Sequence, residues 1–311
     1  MTDHQEGPIV HDAGAQGATT RPDIAAGSPT PTARSSQPSS ALPSPQPDTT
    51  MQGPKFIYAL GQVRPRFPSL AIEKEFAQVA AQAAVNGQTD RQVVATVLGD
   101  RANRYLARQI CWVFAIEGLD TYIVSPRDPA DYELLVESVR PNPDVSDIDV
   151  LIGVQGPSAP PEVCGGLGVP IVVLDHLYSF DRDSLINAIP RPDSISAEDE
   201  ENFRSSAREL FDRVIQLAGN RGTADEHRTL NYLAVRYPAI YARSAEEHSG
   251  NNSLTAVNIS RSRLSETRSI MDVIFSYTHR QTDVTTKYFC RVDVTEEFPF
   301  LVSKLSPFLA H

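Results

Sequence analysis

The sequence predicts an α+β, mixed α/β fold: N-terminal helices, a central mixed sheet and a C-terminal antiparallel β-meander. Three observations lead there. Behind Ser69, apolar residues recur at helical spacing at Leu70, Phe76, Val79, Ala80, Ala83 and Ala84. Between residues 120 and 181, apolar runs of strand length alternate with a helical stretch. After residue 250, three β-rich segments are joined by turn residues.

Residues 1–53 stand apart. Met1 to Gln52 includes "SPTPTARSSQPSSALPSPQP" and has no aromatic residue, so it cannot bury enough apolar surface to offset chain entropy. A disordered Pro/Ser-rich tail is expected, followed by a folded region over 54–311 with sub-parts 54–220 and 221–311.

The folded region opens with "KFIYALG", a short strand ending at Gly61. In "RPRFP", Pro65 and Pro68 hold the chain extended up to a helix capped near Ser69. Asn86-Gly87 is the stop signal of that helix. A second helix is predicted from Thr89 or Asp90 to Leu98, and a third from Arg101 through "YLARQICWVFAIEG" to Gly118. "DTYIVSP" reads as a strand, and "DPADYELLVESV" as a helix with Asp128 as cap and Pro129 in first position. "DIDVLIGVQG" and "VPIVVLDHLYSF" read as strands. "SISAEDEENFRSSARELFDRVIQLAG" reads as a long helix ended by Gly219, and residues 224–248 as one or two helices interrupted near Pro238. In "TKYFCRVDVT", Tyr288, Cys290, Val292 and Val294 share one face.

Net charge is -11, which opposes general nucleic-acid binding, since phosphate neutralisation needs a basic surface. No secretory signal and no apolar run of membrane-spanning length is visible, so a cytoplasmic protein without a membrane partner is expected. Cys111, Cys164 and Cys290 are scattered and odd in number, which reads as reduced thiols.

Chemistry-bearing residues are few. Asp175-His176 closes an apolar strand, where acid/base work or metal binding is one reading and a hydrogen-bonded structural pair the other. No HxH, HExxH or CxxC spacing accompanies it, so no metal or cofactor is assigned. "CGGLGVP" precedes a strand instead of opening a helix, so it reads as a tight turn and not a phosphate cradle. Arg261 and Arg263 share a strand face by alternation, with Arg268 and Arg280 nearby. They suit carboxylates of a peptide or partner, or else a solvated edge. Arg64 and Arg66 are a further candidate clamp for an acidic ligand, or partners of Glu73 and Glu75. Cys290 reads as a buried, inert thiol.

"FIYALGQVRPRFPSLAIEKEFAQ", "DRANRYLARQICWVFAIEGLDTYIVSPRDPADYELL", "LNYLAVRYPAIY" and "RSRLSETRSIMDVIFSYTHRQTDVTTKYFCRVDVTEEFPFLVSKLSPF" resemble, in this order, the C-terminal region of the PatA/PatG cyanobactin maturation proteins. The resemblance runs from Phe56 to Phe308. It implies a domain of unknown function from proteins whose separate subtilisin-like domain cleaves or cyclises a ribosomally made precursor peptide. None of the Asp, His and Ser motif contexts of such a protease is found here. The expectation is a non-catalytic accessory or interaction module that binds a precursor peptide or a peptide-maturation enzyme. The alternatives are an enzyme with a hydrolase or peptide-modifying site near Asp175-His176, and an oligomerisation scaffold forming a homo-oligomer.

Overall fold

The computed structural model of the chain describes residues 53–83, 87–193, 195–216 and 219–309. Nearly all of the expected tail, residues 1–52, lies outside the described residues, as does Asn86 of the expected stop signal.

Five strands close a barrel in the order β1-β2-β3-β5-β4: β1 (Lys55–Arg66), β2 (Cys111–Ile116), β3 (Leu119–Pro126), β4 (Asp147–Ser158) and β5 (Pro170–Asp181). All pairs are antiparallel except β3 with β5, which is parallel. Helix α4 (Asp131–Ser138) links β3 to β4. This connectivity is that of an OB-type Greek-key barrel, an architecture that by itself fixes no function. The expected mixed sheet is therefore closed on itself.

Helices α1 (Leu70–Ala83), α2 (Asp90–Gly99) and α3 (Arg104–Gln109) are inserted between β1 and β2. The Ser69 hydroxyl accepts from Ile72 N at 3.4 Å, and Thr89 and Gln92 form a reciprocal capping box at the start of α2. Phe76, Val97, Leu98 and Leu106 from these helices join Ile57, Trp112, Phe114, Leu151 and Val172 from the strands in one core.

The expected third helix is corrected. It breaks at Ile110, whose extended backbone (φ -77°, ψ 145°) opens β2, and Trp112 to Ile116 are all buried strand residues. A short, unbroken apolar run lacks the polar face that distinguishes a helix, and here both faces of the strand are covered. β1 also runs past Gly61 to Arg66. Gly61 is a point of close approach, because a Cβ there would lie 2.3 Å from the carbonyl oxygen of Ala115. Helix α4 starts at Asp131, not at Pro129, and the Asp128 carboxylate caps the preceding turn by accepting from Ala130 N at 2.8 Å.

Beyond the barrel come α5 (Arg182–Ala188), α6 (Glu200–Ile215), α7 (Asp225–Arg236) and α8 (Ala239–Ser249). They pack on an antiparallel sheet ordered β6-β7-β8-β9: β6 (Asn252–Arg261), β7 (Ile270–His279), β8 (Thr285–Asp293) and β9 (Phe300–Pro307). Phe203, Phe211, Leu233 and Tyr241 meet Val273, Phe275, Cys290 and Val292 in this second core. α5 and α6 thus share their core with the C-terminal sheet.

α7 joins the two cores. β1 pairs with β4 over Lys55–Gly61 and with β2 only over Gln62–Arg66, so its first half has an edge that β2 does not cover. The segment before α7 and α7 itself cover it. Tyr58 N donates to Gly222 O at 2.9 Å, and Asn231 Nδ2 donates to Tyr58 O at 2.8 Å. Apolar residues on the outer face of β1 and β4, Leu60, Val150 and Ile152, pack with Tyr232 and Val235.

The cysteine reading is corrected in part. Cys111 and Cys164 are joined by a disulfide, with Cα atoms 5.6 Å apart. Cys164, Gly165 and Gly166 all have positive φ, so the glycine-rich stretch is the tight turn that brings Cys164 to the barrel. Cys290 is a free, buried thiol, and burial pushes it up to about 12.

Candidate functional site

The most chemically varied neighbourhood lies at the seam between barrel and sheet. It is built around a bulge in β5. Ile152 of β4 pairs with His176, but Gly153 pairs with Leu174, so Asp175 is the extra residue. Gly153 permits this: a Cβ there would sit 2.1 Å from Val173 O.

The bulge separates the fates of the two candidates. Asp175 turns inward to ion-pair with Arg127 at 2.7 Å, its side chain only 11 % exposed. Its other partner is Glu297, on the loop between β8 and β9. Oδ2 of Asp175 and Oε1 of Glu297 are both buried, and among the described residues no donor reaches either atom. Burial, then the hydrogen bond and charge of Asp175, push the Glu297 carboxyl up to about 7, against the pull of Arg127 and Arg228.

Arg228 of α7 fixes the same loop from beneath. It is 3 % exposed and donates to the carbonyls of Val294 at 2.6 Å, Glu296, and Glu297 at 3.3 Å. Its guanidinium also stands 5.4 Å above the ring of Phe56. Burial lowers its proton affinity, and Asp225, Glu297 and Asp293 offset that.

His176 points to solvent instead, and among the described residues Asp175 pairs with Arg127 and Glu297, not with His176. His176 lines a groove of about 330 Å³ with Tyr58, Ile152, Tyr232, Arg236, Phe298 and Pro299. Its ring lies 5.6 Å from that of Tyr178. The hydroxyls of Tyr58 and Tyr178 are hydrogen-bonded at 2.7 Å, and burial raises the proton affinity of both. The Arg236 guanidinium lies 4.8 Å over Tyr178, and its interaction with the two tyrosine oxygens raises its pKa despite burial. Phe298, 52 % exposed, forms an apolar rim next to Glu297. The groove therefore offers aromatic faces, one fixed cation and one imidazole.

The other candidates lie elsewhere. Arg66 pairs with Asp120 at 3.3 Å. Arg64 donates to Gly118 O at 3.4 Å and to Gln62 Oε1 at 3.3 Å. Among the described residues, both arginines thus engage β1 itself and the β2–β3 turn region, and no ion pair joins them to Glu73 or Glu75 as entertained from sequence. Arg261 ends β6, whereas Arg263 lies in the turn beyond it, which corrects the shared strand face. Both are exposed. Arg268 ion-pairs with buried Asp293, and Arg280 approaches His248 at 3.4 Å, so the four arginines form no single patch. Sequence reasoning missed Arg127, Arg236 and Glu297. No motif marks them, since the barrel, α7 and the β8–β9 loop bring them together from distant positions.

Among the described residues, no group of three or more His, Cys, Asp or Glu is gathered to hold a metal ion, and no helix is long and apolar enough to cross a membrane.

Comparison with known proteins gives two findings. Residues 197–308 match a family model described as PatG C-terminal. A solved structure described as "PatG Domain of Unknown Function" superposes with a TM-score of 0.68 at 18 % identity, covering 81 % of this chain and 98 % of that one. The family model covers most of the second core, from residue 197 on, and the structural likeness reaches into the barrel. No curated protein matches the chain.

Proposed function

We propose that this chain, whose residues 197–308 match the PatG C-terminal family model, is a non-catalytic module that binds a ribosomally made peptide, or an enzyme that matures one. The observation that carries this reading is the seam groove of His176, Arg236 and the surrounding aromatics. Aromatic walls take an apolar, aromatic or proline side chain, and the Arg236 guanidinium takes an adjacent carboxylate or backbone carbonyl. The family resemblance supports peptide maturation as the setting.

The test titrates the full chain with peptides and enzymes encoded beside it. Arg236→Met and Phe298→Ala each weaken binding by about tenfold or more, the loss expected of central aromatic and arginine anchors. No binding to any of them across salt conditions overturns the reading.

Glu297 favours a second reading, a hydrolase or peptide-modifying enzyme, because its carboxyl, pushed up to about 7, lies next in sequence to Phe298 of the groove. Under it, His176→Ala and Glu297→Gln abolish turnover of a peptide without unfolding the protein. Unchanged turnover removes this site from consideration.

A further inference from the structure

The C-terminal sheet ends in two edges that are treated differently. β9 is eight residues long, ends in Pro307 and carries Lys304, and its Leu305 N–H is taken by Tyr237 Oη at 2.8 Å. Those are the usual protections of an edge strand. β6 is ten residues long and pairs only with β7. Its protections, a bulge between Leu254 and Ala256 and the Arg213 guanidinium on Leu254 O, sit at its start. From Ala256 to Arg261 no described segment pairs with its outer side.

An apolar slot of about 490 Å³ runs beside this stretch, between β6 and helices α6 and α7. Leu210, Val214, Leu230, Leu254, Val257 and Ile259 form most of its lining, and the charged Arg213 and Glu226 complete it on the helix side. By strand alternation Arg261 lies on the same side of β6 as Val257 and Ile259, so a cation stands where the slot ends. Arg261 and Arg263 are both exposed, and neither has an ion-pair partner among the described residues.

We propose that the outer edge of β6 docks an extended segment of a partner protein by strand addition, and that the segment alternates apolar residues and carries acidic residues at one end. Main-chain hydrogen bonds to β6 supply sequence-independent affinity, and every second side chain enters the slot. Arg261 and Arg263 select the acidic end and fix the register. This surface is separate from the seam groove and does not depend on the function assigned there.

The test uses the full chain and a fluorescent ten-residue peptide alternating valine and threonine and ending in two aspartates, with the same peptide ending in two lysines as control. The aspartate peptide binds and the lysine peptide does not. The double variant Arg261→Glu with Arg263→Glu weakens binding by about tenfold, as expected for reversal of two exposed charge contacts. Val257→Asp, which puts a charge in the slot, abolishes binding while circular dichroism stays unchanged. His176→Ala leaves binding unchanged, which keeps this surface distinguishable from the groove. Equal binding of the two peptides overturns the proposal, as does unaltered affinity in the arginine variant. Self-association that the arginine variant abolishes assigns the edge to a second copy instead, and competition by a peptide of residues 1–52 assigns it to this chain's own N-terminal segment. Either result also overturns the proposal.

Discussion

Glu297 titrates in a range where few carboxyls do, and the sign of its effect follows from linkage. Between its ordinary 4.5 and about 7, the folded protein holds a proton that the unfolded chain releases. The contribution is therefore fully present below the ordinary value, falls as pH rises, and is gone above about 7. Glu297→Gln is neutral throughout and flattens this slope. Thermal melts between about pH 5 and 8 check it, and an unchanged slope in the variant would refute the raised Glu297 pKa. Asp293 behaves oppositely: burial pushes its pKa up, but hydrogen bonds from Thr295 and the Arg268 charge outweigh that and lower it, so its contribution is lost only in stronger acid. Gly222 is the other residue on which much turns. It has φ +72°, and a Cβ would lie 2.4 Å from Tyr58 O. Gly222→Ala is expected to cost about 2–3 kcal/mol by denaturant unfolding, from backbone strain and overpacking combined. Gly219→Ala, at φ +75° but facing open space, costs about 1 kcal/mol, for the strain alone.

Among the elements, those with a marked period or a capping residue were readable in advance. α2 has its capping box, α7 and α8 are split at Pro238, and the β8 faces alternate as expected, with Cys290, Val292 and Val294 turned to the core. β2 was not readable, because Cys111–Ile116 has no polar face and its neighbours in α3 supply a helical context. The disulfide was equally hidden, since spacing alone cannot say that Cys164 swings back to Cys111. It closes a loop across 53 positions, which on a chain-entropy reckoning stabilises by about 4 kcal/mol. Cys111→Ser with Cys164→Ser is expected to lose about that much in denaturant melts. Reductant is expected to lower wild type toward the variant and leave the variant unmoved. Cys290, buried with its pKa pushed to about 12, should resist thiol reagents until the protein unfolds.

At the scale of the whole molecule, the barrel and the C-terminal sheet depend on each other through α7. Asn231 is 1 % exposed and serves both Tyr58 O and Asn220. Asn231→Leu strands these buried polar groups and is expected to cost about 1–3 kcal/mol, lowering the barrel and sheet transitions together. Separate transitions, with only one shifted, would show that the joint is not cooperative. The candidate site belongs to this scale too, which is why little of it could be read beforehand. His176 was found because it follows an apolar run, although β5 continues past it to Asp181; Arg127 was not, because the β3–β5 pairing of the closed barrel sets it beside Asp175, and Arg236 and Glu297 were not, because only the docking of two cores brings them to the seam.

The uncovered first half of β1 has a consequence for synthesis. The barrel strands are complete at Asp181, but the groups that close the β1 edge arrive only with Gly222 and Asn231. At translation speeds of about 5–20 residues per second, a nascent barrel waits roughly 3–10 seconds with an exposed strand edge. For that interval the emerging chain is a substrate for chaperones and a template for aggregation. Slow codons between residues 181 and 231 would lengthen that exposure, and fast ones would shorten it.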